Sequence, residues 1–187
     1  SWININANVY SNWFRNKIEG MWSNDQTELH YVNIGKSRLA GVETMCKIQI
    51  NRHINVHGAY NYLYTSKDAD GVRLSSSSPH SGNIRTEYNT RIPRYATVVN
   101  LSGNIMGKKK FDVLDELEID GKKVEAYYQA KVNPYCLWDL TVSQYIMQNL
   151  RITAGITNLF DYTSDRVTFN TSTSPGRNYF IACNYTL

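Results

Sequence analysis

Apolar and polar side chains alternate residue by residue along most of this chain, and that alternation predicts an all-β protein. Near the start, Ile3, Ile5, Ala7 and Val9 alternate with Asn4, Asn6, Asn8 and Tyr10. A period of two puts the two sets on opposite faces of an extended strand. The polar phase is too regular for a strand buried on both sides, so one face is expected to be wet. The pattern runs on from Trp13 to Ile18, and Gly20, Asn24 and Asp25 suggest a loop. A long strand is expected from about Glu28 to Ile50, followed by a short turn at 51–53. Ile54, Val56, Gly58, Tyr60, Tyr62 and Tyr64 then alternate with Asn55, His57, Ala59 and Asn61.

The rest of the chain continues in the same way. Residues 66–79, rich in Ser, Asp and Gly, predict a long loop. Ile84, Thr86, Tyr88 and Thr90 alternate with Asn83, Arg85, Glu87, Asn89 and Arg91, and Pro93 falls in a short turn at 92–94. A strand from about Tyr95 to Met106 precedes the longest connection, Lys108 to Asn133, in which Asp120-Gly121 suggests a turn inside a small hairpin. Tyr135 to Met147 and Leu150 to Phe160 read as strands joined by Gln148-Asn149, Asp161 to Arg177 as a long loop, and Asn178 to Leu187 as the last strand.

Connections near 52, 93 and 148 are short, those near 23, 72, 120 and 169 are long, and the two kinds alternate strictly. The expected architecture is an antiparallel up-and-down meander of about eight strands forming part of a transmembrane β-barrel, with short turns on the periplasmic side and long loops outside. A Greek-key sandwich gives no reason for this rhythm.

Charge placement supports the same architecture. Glu43, Lys47, Arg85, Glu87, Arg91, Asp139 and Arg151 all fall in the polar phase, where a wet lumen tolerates them. At the bilayer midplane each misplaced Lys or Arg would cost about 2–4 kcal/mol. Tyr60, Tyr62, Tyr64, Tyr88, Tyr95, Trp138, Tyr179 and Tyr185 are candidates for aromatic girdles. Mean hydropathy is polar at −0.46 and no run of about 18 apolar residues is present, which excludes a membrane-spanning helix but not a barrel.

Composition excludes several kinds of chemistry. The net charge of +4 is spread along the 187 residues, with no basic face and interleaved aromatics of the kind that binds nucleic acid. Lys108 to Lys110 read as a solvated loop. Cys46, Cys136 and Cys183 lie far apart in the apolar phase and read as small hydrophobes. His53 and His57 would stand about 13 Å apart on an extended chain, and neither they nor His30 and His80 show metal-site spacing. No hydrolase, P-loop or dinucleotide motif is found. The expectation is no catalytic residue, no cofactor and no metal.

Four segments resemble the C-terminal barrel of TonB-dependent outer-membrane receptors. Ala154 to Asp161, AGITNLFD, is similar to the family's NLFD segment on the penultimate strand. Asn33 to Arg38 followed by Gly41-Val42-Glu43 resembles its GkaR and GvE stretch. Asn8-Val9-Tyr10 with Asn16-Lys17-Ile18 resembles an earlier strand, and Gly176 to Tyr179 the start of the final one. All four occur in the family's order. Family members usually end in an aromatic residue, whereas this chain ends in Leu187.

The resemblance implies a chain that is one segment, 1–187, of a longer barrel of about 22 strands around a plug, with signal sequence, plug and N-terminal strands absent. It implies residence in the outer membrane of a Gram-negative bacterium, contact with lipid, a TonB complex acting through the missing plug, and import of a scarce large solute such as an iron chelate, haem, cobalamin or a glycan. An isolated fragment with two unpaired edges is expected to self-associate. Trp22, Tyr64, Arg73, His80, Tyr127, Tyr128 and Arg166 are candidates, by position alone, for solute contact on the long loops and upper lumen. The rival readings are a passive porin and a soluble β-sandwich binding module.

Overall fold

A computed structural model describes residues 2–22, 28–66, 78–119, 122–146, 149–163 and 176–186. They form ten strands: β1 (Trp2–Trp22), β2 (Leu29–Gln49), β3 (Ile54–Thr65), β4 (His80–Asn89), β5 (Thr97–Met106), β6 (Lys109–Ile119), β7 (Lys122–Val132), β8 (Tyr135–Ile146), β9 (Leu150–Thr157) and β10 (Asn178–Tyr185). Eight make one antiparallel sheet in the order β1-β2-β3-β4-β5-β8-β9-β10, so each strand pairs with its neighbour in the meander. β1 and β10 are its two edges and are not paired with each other. β6 and β7 pair separately as a hairpin continuing β5 and β8 beyond the sheet.

The meander expected from the alternation is therefore present, with differences at the ends of elements. Gly20 pairs with Tyr31 inside β1 rather than opening a loop. A glycine weakens a strand, but β2 holds its ladder in place. β4 begins at His80, ahead of the first alternating residue, Asn83, and Gly107 N–H bonds the His80 carbonyl at 2.8 Å. Residues 108–133 hold two eleven-residue strands, closed by Ile119 opposite Lys122 on either side of Asp120-Gly121. Arg91 lies past the end of β4 with φ 55°, in the turn rather than on the polar face. Of the loops expected at 66–79 and 161–177, residues 67–77 and 164–175 lie outside the described residues.

The short turns are built by side chains. Asn51 Oδ1 accepts the N–H groups of His53 (2.8 Å) and Ile54 (2.9 Å), an Asx turn that reverses the chain between β2 and β3. Between β4 and β5, Tyr95 N–H bonds Ile92 O at 3.2 Å around Pro93 and Arg94, whose φ is 66°. Proline before a positive-φ residue is the type II arrangement.

Register sorts the side chains of the whole sheet. Ile3, Ile48, Val56, Thr86, Leu101, Leu140, Ile156 and Tyr179 are successive cross-strand partners and form one row from edge to edge. A second row of the same face runs Ile54, Tyr88, Val99, Val142, Ala154 and Ile181. The opposite face carries Asn4, Lys47, His57, Arg85, Ser102 and Asp139 in one row. No second layer covers the apolar face: among the described residues Val132 is the one buried apolar side chain, while Ile5 is 66% and Ile181 81% exposed. Ile48, Val56, Leu140 and Ile152 thus lie along one open surface and do not converge on a dry centre, which rules out the sandwich. An apolar face of this extent in water exceeds what soluble proteins expose.

Candidate functional site

The polar face curls around a hollow of about 580 Å³ that crosses β2, β3, β4, β5 and β8. Its floor alternates amides with larger side chains: Glu43, Met45, Asn61, Asn83, Asn104 and Leu137 line it. These residues come together because Asn6, Met45, Ala59, Asn83, Asn104 and Leu137 share one cross-strand row and Asn8, Glu43, Asn61 and Ser81 the next. The Asn61 side-chain oxygen is buried there with no hydrogen-bond partner. The amides of this floor can both donate and accept hydrogen bonds, and Glu43 adds a carboxyl group to the lining.

Toward the short turns the same face becomes charged. Arg85 donates to Asn100 Oδ1 from Nη2 (3.0 Å) and Nε (3.3 Å), and its Nη2 lies 3.8 Å from Glu87. Both partners are solvated, so the pair orders the wall more than it stabilises it. His57 stands between Lys47 and Arg85.

At the other end, the AGITNLFD segment forms a pinned corner. Asn158 has φ 51° and is 4% exposed, a conformation asparagine tolerates better than most residues. Its backbone N–H donates to Asp139 Oδ1 (2.9 Å), its Nδ2 to Tyr162 O (2.7 Å), and its Oδ1 accepts Tyr162 N–H (2.8 Å). Asp161 Oδ1 then accepts the N–H of Arg177 (2.7 Å), which leads into β10. Tyr162 stacks on Tyr135 at 5.0 Å between ring centroids. The segment is a structural corner tying β8, β9 and β10 together.

The candidates for solute contact separate. Tyr64 and His80 fall on the apolar face, where Tyr62 and His80 are partners and Tyr60 Oη lies 2.7 Å from His80 Nδ1. Both point away from the hollow, because their phase matches Val56 and Ile84, and they belong to an outward band with Tyr60 and Tyr62. Trp22 ends β1, and Tyr127 and Tyr128 occupy adjacent places on β7. Arg73 and Arg166 lie outside the described residues. The amide floor was not singled out from sequence; its signal was the Asn-rich polar phase, but only register shows which strands share a row. At the hairpin root, burial lowers the ammonium pKa of Lys109, opposite buried Val132.

Among the described residues no three His, Cys, Asp or Glu side chains gather as metal ligands. His53 Nδ1 lies 2.8 Å from Asn89 O and His30 lies 3.4 Å from Glu28, well separated along the sheet.

A family model described as TonB dependent receptor-like, beta-barrel, matches residues 1–159. Among solved structures, the siderophore receptor PirA from Acinetobacter baumannii is similar with a TM-score of 0.71 at 17% identity, over 98% of this chain and 29% of that one. The ferripyoverdine receptor of the outer membrane of Pseudomonas aeruginosa gives 0.70 at 18%, over 98% and 25%. The copper transporter OprC gives 0.71 at 15%, over 98% and 28%. Identity this low speaks for the fold, and the chain spans less than a third of each of these proteins.

Proposed function

Because this chain belongs to the TonB-dependent receptor β-barrel family, a family of outer-membrane transporters and receptors rather than enzymes, we propose that it forms part of the barrel wall of a receptor importing a scarce large solute. The observation that carries this reading is the edge-to-edge apolar row from Ile3 to Tyr179 backed by the Asn4 to Asp139 polar row. One face suits hydrocarbon and the other a wet lumen. In this reading 1–187 is one segment of a longer chain that also carries a plug, the TonB complex acts through that plug, and the site is the outer membrane of a Gram-negative bacterium.

Selectivity then resides in shape and hydrogen bonding at the amide-lined hollow and in the long excursions above it. The test is uptake of iron chelates, haem, cobalamin and glycans by cells lacking the gene, compared with cells lacking TonB. Loss of the same solute in both supports the proposal. Uptake lost without the gene but kept without TonB would favour a passive pore instead.

A further inference from the structure

The outward face changes character where β1 and β2 rise past β3. Below that level, Ile3, Ile5, Ala7 and Val9 on β1, and Val42, Thr44, Cys46 and Ile48 on β2, carry no charge. Immediately above, the same phase reads Ser11, Trp13 and Arg15 on β1, opposite Ala40, Arg38 and Lys36 on β2. Arg15 and Lys36 are direct cross-strand partners. Like charges placed opposite one another destabilise a sheet, and among the described residues neither has an acidic partner. Arg38 lies over the Trp13 ring at 5.0 Å and donates from Nε to Ser11 Oγ at 2.9 Å. Its guanidinium is thereby fixed, with its terminal amino groups free of a protein acceptor among the described residues.

We propose that Arg15, Lys36 and Arg38 bind the phosphate of an anionic lipid headgroup whose acyl chains lie along the apolar face below. Charge and position both select this occupant. With no facing carboxylate among the described residues, three cations call for an anion, and Arg offers paired donors that match phosphate oxygens. The patch sits one step above Tyr64, the last of the outward tyrosines of β3, since Ala40 pairs with Tyr64. That is the level at which Trp and Tyr meet headgroups. It is also the end bearing the long excursions, hence the outer leaflet. A soluble anion would gain nothing from the apolar wall beneath, whereas a phosphorylated lipid engages both. The lumen cations Lys47 and Arg85 face the other way and cannot contribute.

This inference rests on the reading that the apolar face lies in lipid. The experiment uses the intact receptor, purified in mild detergent, and measures retention of a phosphorylated glycolipid against the same lipid with its phosphates removed. The expected result is preferential retention of the phosphorylated lipid, weakened about fivefold per cation removed in Lys36→Gln and in the triple Arg15→Gln, Lys36→Gln, Arg38→Gln variant. Lys47→Gln should leave retention unchanged. Equal retention by the triple variant overturns the proposal, as does an equal loss in Lys47→Gln, which would make the effect one of net charge. Competition by millimolar inorganic phosphate as effective as by lipid overturns the lipid assignment. Membrane insertion of every variant is followed by resistance of the folded barrel to detergent on unheated gels. Failure of the parent receptor to insert would sink the membrane reading itself, separately from the lipid site.

Discussion

The ring of Tyr10 on β1 lies against Gly41 on β2, so closely that a Cβ on Gly41 would stand 2.5 Å from the Tyr10 hydroxyl oxygen and 2.5 Å from the Tyr62 carbonyl oxygen. Trp138 covers its cross-strand partner Gly103 in the same way, with ring atoms 2.8 Å from such a Cβ, and Phe180 covers Gly155. An aromatic ring laid over a strand glycine restores the packing that the missing side chain forfeits.

These pairs differ in how they respond to mutation. Gly41→Ala should cost about 1–3 kcal/mol through overpacking, and Tyr10→Ala should not rescue it, because the Tyr62 carbonyl stays in place. Gly155→Ala, which meets the far end of the Phe180 ring and Thr141, should be largely rescued by Phe180→Ala. Double-mutant cycles of urea unfolding in bilayers would read the difference. Equal rescue at both sites would contradict the backbone clash at Gly41.

A second expectation concerns the Asn158 corner. Asn158→Ala removes two hydrogen bonds with the Tyr162 backbone and places an alanine at positive φ, so it should destabilise the barrel by about 2–4 kcal/mol. Asn158→Gly keeps the φ and should recover about 1 kcal/mol of that loss. If unfolding midpoints show alanine and glycine to be equivalent, backbone strain is not part of the role of Asn158.

The legibility of this chain followed its periodicity. Ile54 to Tyr64 alternate cleanly, and their faces were readable before any pairing was known. Residues 109–132 could be suspected of holding a hairpin, since Asp120-Gly121 marks a turn, but its length could not be read because the segment pairs only with itself. Tyr64 already alternates in phase with Ile54 and Val56, which places it on the apolar face and argues against its candidacy for solute contact, whereas His80 precedes the first alternating residue of its strand and its face follows only from its pairing with Tyr62. The amide hollow and the Arg15, Lys36 and Arg38 patch required register, which fixes which residues of different strands become neighbours and is not written in any one strand.

Two unpaired edges and an uncovered apolar face set the behaviour of residues 1–187 alone. β1 and β10 each present one row of unpaired N–H and C=O groups, and such edges recruit further strands. The isolated chain should therefore elute as an oligomer, or need detergent to stay dispersed, in light-scattering chromatography. A monodisperse monomer in plain buffer would falsify this.

The sharpest test of the two-faced sheet uses neighbours on a single strand. Leu101 and Ser102 are adjacent on β5, but Leu101 shares a row with Val56 and Leu140, and Ser102 with Arg85 and Asp139. In the intact receptor Leu101→Arg should lose about 2–4 kcal/mol if its level is the midplane, because the charge must enter hydrocarbon. Ser102→Arg enters a polar lumen and should lose far less, since repulsion from Arg85 on one side, up to about 1 kcal/mol, is opposed by attraction to Asp139 on the other. Urea-dependent folding into vesicles measures both. Equal losses, or a larger loss at Ser102, would reverse the assignment of the two faces, and with it the placement of hollow, girdle and basic patch.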